Sequence, residues 1–174
     1  MISFIAKLIV TLNSNSRPGE LASGIAFGFW LALIPGGSLL WTALFIIAFF
    51  LKHNIAALLF SLGIFKLFIF IFDPLLDRLG LFALELPPLQ SFFTMLNNVP
   101  LVPYTQFNNT IVMGGFLLGI LLWVPVFIVF LLLIKVYRKK AAPRIAESRL
   151  IKGLKKVPLI SKIISAAEKA AVLV

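Results

Sequence analysis

The sequence predicts an all-α integral membrane protein, with two full transmembrane helices, one re-entrant helical hairpin and amphipathic helices in the membrane interface. Three observations carry this expectation. The 174 residues are 61 % hydrophobic, against about 45–50 % in soluble domains, and the mean hydropathy is +1.08. Two long apolar runs, residues 55–72 and 111–134, hold 18 and 24 residues. As helices they reach about 27 and 36 Å, and a bilayer core is about 30 Å thick. A further stretch, residues 20–51, is broken at Pro35-Gly36-Gly37 into runs of 14 residues, 21–34 and 38–51. Each run is about 21 Å long and does not cross comfortably alone.

Residues 1–16 form the first element. Ile2, Ile5, Leu8, Ile9 and Leu12 fall on one stripe, with Ser3, Lys7 and Thr11 opposite. That pattern suits a helix lying in the interfacial plane. A secretory signal fits poorly, because Lys7 splits the apolar run and no small-residue cleavage site follows. The membrane domain then spans 17–134. In the hairpin, Gly24-x-x-x-Gly28 offers a face on which another backbone can come close. We expect it to serve arm-to-arm packing within the hairpin, with contact between copies in a homo-oligomer as its other use. The break at residues 35–38 threatens to leave backbone groups unpaired in lipid, at several kcal/mol each. Pro35, Gly36, Gly37 and Ser38 are therefore expected to be buried against another helix or to face a hydrated pocket.

The crossing over 55–72 contains Lys66. At mid-depth a lysine costs about 2.5–3.5 kcal/mol on insertion scales. It is expected to snorkel or pair with Asp73 or Asp77, or else to hold a lipid phosphate or an acidic partner. Asp73-Pro74 is expected to end that helix. Residues 73–110, with pieces too short to span and too apolar for a plain loop, are expected to form a periplasmic interfacial cap. Residues 111–134 make the clearest crossing, with Gly115-x-x-x-Gly119 as a second packing face and Pro125 inviting a kink.

Charge sets the topology. The formal net charge is +10. From Lys135 onward there are eleven Lys/Arg, against Lys7, Arg17, Lys52, Lys66 and Arg78 before it. Residues 135–174 read as a basic cytoplasmic tail drawn to anionic lipid. A re-entrant hairpin puts both termini in the cytoplasm and fourteen Lys/Arg inside, against Arg78 outside. A single broken span over the hairpin would move Lys7 and Arg17 outside. Nucleic acid is not an expected partner, since Tyr137 is the sole aromatic residue among the tail charges.

The same residues bound the chemistry. Without cysteine there is no disulfide, thiol nucleophile or thiolate metal site, and His53 alone disfavours a zinc site or a Ser-His-Asp triad. Glu20, Asp73, Asp77 and Glu85 form no recognisable acid/base pair, and Ser38 and Ser61 lack a base. No enzyme activity and no cofactor are expected.

Pro18, Ala22, Gly24, Ala26, Gly28 and Phe29, then Pro35 and a glycine, and later Asp73-Pro74, resemble the core of an uncharacterised bacterial inner-membrane protein family. The likeness covers about residues 17–80. The Asn108-Asn109-Thr110 and Gly114-Gly115 stretch is similar to a variant encoded beside a larger envelope protein, in bacteria with outer membranes. Gly36-Gly37-Ser38 stands where that family has Gly-x-Gln, and Asp73 where it has Asn.

The resemblance implies location in the bacterial inner membrane and a larger envelope partner encoded nearby. The expected function is a non-enzymatic subunit that anchors that partner or passes lipid to it, in phospholipid transport or envelope maintenance. A small oligomeric transporter or lipid flippase, with substrate at the broken hairpin, is the other expectation. Candidate lipid or partner contacts are Lys66, Asp73, Pro35, Gly36, Gly37 and Ser38; Gly24, Gly28, Gly115 and Gly119 are the expected packing residues.

Overall fold

The computed structural model describes residues 16–141, and all of their regular structure is helical. The interfacial helix expected over 1–16, apart from its last residue, and the tail beyond residue 141 lie outside the described residues. Packing divides the described residues into a main body, Gly19–Phe130, and a second unit that contains residues 16–18 and 131–141. The helices are α1 (Pro18–Leu33), α2 (Leu39–Phe50), α3 (Ile55–Phe68), α4 (Asp73–Leu84), α5 (Gln90–Asn97) and α6 (Thr110–Val136). Short 3-10 turns occupy Ile69–Phe72, Pro87–Leu89 and Val102–Thr105.

Helix α1 is the centre of the main body. Pro18 starts it, where a missing N–H costs nothing, and Glu20 favours the positive end of its dipole. It buries nine of its 16 residues, spread around its circumference, as a helix packed on several sides must. It stops before Pro35, whose ring disfavours helical backbone in the preceding residue. Helix α2 is the opposite case, burying only Leu44 and Ala48. Its aromatic residues stack on one another instead, Trp41 on Phe45 at 5.1 Å and Phe45 edge-on to Phe49 at 5.1 Å.

After α2 the chain comes back to where α1 began. The Asn54 N–H donates to the Glu20 carbonyl at 3.0 Å, while the Asn54 side chain caps α3 by accepting from Ala57 N–H at 2.8 Å. Helices α1 and α2 therefore form a hairpin, and α3 starts level with α1. Glycine contacts then set the directions. A Cβ at Gly24 would lie 2.5 Å from the Asn54 carbonyl oxygen, and one at Gly28 would meet Ser61 Oγ and the Leu58 carbonyl. Helices α1 and α3 thus run parallel. The Gly24-x-x-x-Gly28 face serves α3, which corrects the expected arm-to-arm packing. The two arms can meet through side chains, whereas the α1–α3 contact is backbone on backbone.

Gly115 abuts the Leu33 carbonyl, Gly119 carries the Trp30 indole and Trp123 meets Phe27 edge-on at 5.8 Å. Helix α6 is therefore antiparallel to α1. Its first residues also pack on α4, with Gly80 against the Thr110 carbonyl and Gly114 against the Leu76 carbonyl. Asn109 caps α6 by accepting from Val112 N–H at 3.1 Å.

One expected boundary differs. Asp73-Pro74 does not end the helix: the 3-10 turn Ile69–Phe72 leads into α4, with Pro74 in the first turn. Residues Ile55–Leu84 make a continuous apolar helical track of 30 residues. The 3-10 hydrogen bonding accommodates the proline ring, which would clash in an unbroken α-helix. Helix α5 buries none of its residues, but Phe93 packs on Phe107 at 6.0 Å. Leu101 and Gln106, both with positive φ (71° and 57°), bracket Val102–Thr105, which packs on α2. In the second unit, Arg138 donates to the Ser16 carbonyl at 2.9 Å.

Candidate functional site at the hairpin apex

A helix that stops abruptly leaves its last four carbonyls without intrahelical partners. At the end of α1 the carbonyls of Leu31, Ala32 and Ile34 have found donors from two other helices. The Lys66 Nζ donates to the Ile34 carbonyl at 2.9 Å and the Ala32 carbonyl at 3.2 Å. The Trp41 indole Nε1 donates to the Leu31 carbonyl at 3.0 Å. An ammonium at a helix C-terminus also answers the negative end of its dipole.

The far side of the break is finished differently. Ser38 is fully buried, and its Oγ accepts from Trp41 N–H at 3.1 Å, capping α2. Thr42 Oγ1 donates to the Ser38 carbonyl at 3.1 Å. Gly37 takes φ +97°, backbone that side chains rarely adopt, so the reversal depends on a glycine there. Gly36 and Gly37 are exposed and Pro35 is half-buried. Residues 35–38 are therefore not all buried against another helix, which is one of the two expectations for them. Of these four residues only Ser38 is fully buried, and donors from α2 and α3 satisfy the Leu31, Ala32 and Ile34 carbonyls at the α1 end.

Lys66 is joined to this apex, but Asp73 is not. Positions 66 and 73 share a helical face, yet no ion pair joins Lys66 to Asp73 or Asp77. Asp77 Oδ1 instead accepts from the Thr110 hydroxyl at the start of α6. The backbone carbonyls lie within reach of the ammonium and the carboxylates do not. Nor does Lys66 lie at mid-depth of the bundle. The carbonyl row it binds is level with Gly115, five residues into α6. That places it about 7.5 Å from the N-terminal end of α6.

Several contributors escaped sequence reasoning. Trp41 sits three residues after its capping serine, and nothing in its spacing reveals a donor reaching back to Leu31. Gly80 and Gly114 lie 34 residues apart and carry no shared motif. At the opposite end of the hairpin, His53 stacks on Phe27 at 5.2 Å, with both ring nitrogens buried and without hydrogen-bond partners. Burial holds its pKa below the usual histidine value. Trp30 and Trp123, which flank the same Phe27, also bury unpartnered indole N–H groups. Among the described residues no cluster of three or more His, Cys, Asp or Glu could hold a metal ion.

Over its described residues the protein is all-helical, with two helices long and apolar enough to cross a membrane, Ile55–Leu84 and Thr110–Lys140. The chain belongs to the same family as an uncharacterized protein of Treponema pallidum (strain Nichols). The two are 35 % identical over 162 residues, covering 93 % of this chain and 100 % of that relative. No family model matches the chain. No solved structure matches it.

Proposed function

We propose that the protein is a non-enzymatic inner-membrane subunit that anchors a larger envelope-spanning partner or passes phospholipid to it. The observation that carries this reading is the finished apex of the broken hairpin. There the Leu31, Ala32 and Ile34 carbonyls accept from side chains within the fold and Ser38 caps α2, which lowers the cost of a break exposed to lipid. Large apolar side chains lie exposed on α2, α3 and α6, among them Ile46, Phe50, Leu67, Leu121 and Val129. Bands of this kind on neighbouring helices mark a surface for lipid or partner rather than water.

The hairpin is re-entrant on this reading. Its support is the return of Asn54 to the level of Glu20, together with the charge asymmetry that keeps Lys52 and the basic tail in the cytoplasm. Close backbone contact at Gly114 and Gly115 fills the space where α6 meets α4 and α1. A solute path there would need more than one copy, which disfavours a self-contained transporter. The test is purification in mild detergent, followed by analysis of both co-purifying proteins and bound lipids. A larger envelope protein or retained phospholipid is the expected result. Recovery of the chain with neither would sink the proposal.

A further inference from the structure

Resting on this membrane reading, we propose that the hairpin apex binds the phosphate of an anionic phospholipid, through the Lys66 ammonium and the Gly36 and Gly37 amides. An ammonium has three N–H donors. Ala32 and Ile34 take two, and no other partner engages Lys66. Carbonyls satisfy hydrogen bonding, but the α1 terminus offers only about half a negative charge against a full positive one. The Asp73 carboxylate, which attracts the ammonium without forming an ion pair, offsets part of the remainder, and the ammonium faces the surroundings. Lys66 is exposed, and so is Gly63 one turn before it, with nothing within 4 Å of where its Cβ would stand.

The neighbouring backbone adds donors without acceptors. Gly36 and Gly37 follow directly after the Ile34–Pro35 bond that Lys66 reaches, both are exposed, and no backbone hydrogen bond uses their amides. The nearby carbonyls of Leu31, Ala32 and Ile34 are already engaged. Backbone with spare donors and occupied carbonyls, beside an ammonium, suits an oxyanion. Its level, about 7.5 Å from the start of α6, is one that a headgroup phosphate approaches from the near leaflet. Exposed Leu67, Phe68, Phe70 and Ile71 beside it match acyl chains. Asp73, on the same face, opposes the anion and tempers affinity.

Free phosphate carries the same chemistry, so the experiment separates the two sources. The full chain is placed in phosphatidylcholine vesicles, and tryptophan quenching by brominated phosphatidylglycerol is compared with brominated phosphatidylcholine. Trp41 stands at the apex as a reporter. The expected result is a preference for the anionic lipid of about fivefold, kept in Lys66→Arg, lost in Lys66→Met and increased in Asp73→Asn. A tryptophan response to inorganic phosphate in phospholipid-free detergent, without a lipid preference, assigns the site to free phosphate and upholds the ligand class. Wild-type protein with neither response overturns the proposal, whether or not Lys66→Met folds. A preference that survives Lys66→Met in folded protein overturns it too. Capture of the envelope partner by Lys66→Met protein shows that the subunit reading survives such a failure.

Discussion

Lys66 joins two roles that are easily confused, a structural cap and a charge. Its hydrogen bonds to Ala32 and Ile34 leave two carbonyls at stake when the amine is removed. Unsatisfied groups of that kind cost about 1–3 kcal/mol. Lys66→Met is therefore expected to lower unfolding stability in mixed micelles by about that amount, and Lys66→Arg to stay near wild type. Equal stability in all three proteins would show that the cap contributes nothing. His53 makes a different prediction, from titration. Its folded pKa is depressed by burial, so the unfolded chain binds the proton more readily. Stability is then full above the unfolded pKa, about 6.5, and falls as pH drops through it. His53→Phe is expected to flatten this dependence in denaturation curves taken between about pH 5 and 8.

The elements are held at their distances by bare backbone. Gly28 faces Ser61 and Leu58 across α1 and α3, and Gly114 faces Leu76 across α6 and α4. A methyl at either position must push two helices apart, and overpacking of this kind costs about 1–3 kcal/mol or more. Gly28→Ala and Gly114→Ala are expected to be destabilised by at least that much. Gly63→Ala, with open space around it, is expected to stay within about 0.5 kcal/mol of wild type. Similar losses in all three would mean that helix contact is not what these glycines serve. The two packing motifs were visible as spacings, Gly24 to Gly28 and Gly115 to Gly119. Their partners were not, because a spacing names a face and leaves open which helix lies on it. Gly80 and Gly114 form the tightest contact between α4 and α6, yet each looks like an isolated glycine in sequence.

Across the whole molecule, the proposed re-entrant path makes one topological prediction. Cysteines introduced at Lys52 and Lys139 are expected to react with a membrane-impermeant reagent from the same face of sealed vesicles, and one at Leu101 from the other. Labelling of Lys52→Cys together with Leu101→Cys would replace the hairpin with a crossing. The helical class, the two long apolar segments and the break at residues 35–37 were legible in composition and run length, and the last crossing was expected from residue 111, one residue inside the start of α6. Those signals are local, and neighbouring residues suffice to set them. Tertiary structure decided the rest. It alone turned Lys66 from a carboxylate's partner into the cap of a helix 32 residues away, gave Gly24 and Gly28 to α3, and carried the helical track past Asp73-Pro74. Each outcome depends on which distant backbone groups are left needing a partner or a close neighbour, and that is settled only when the helices have packed.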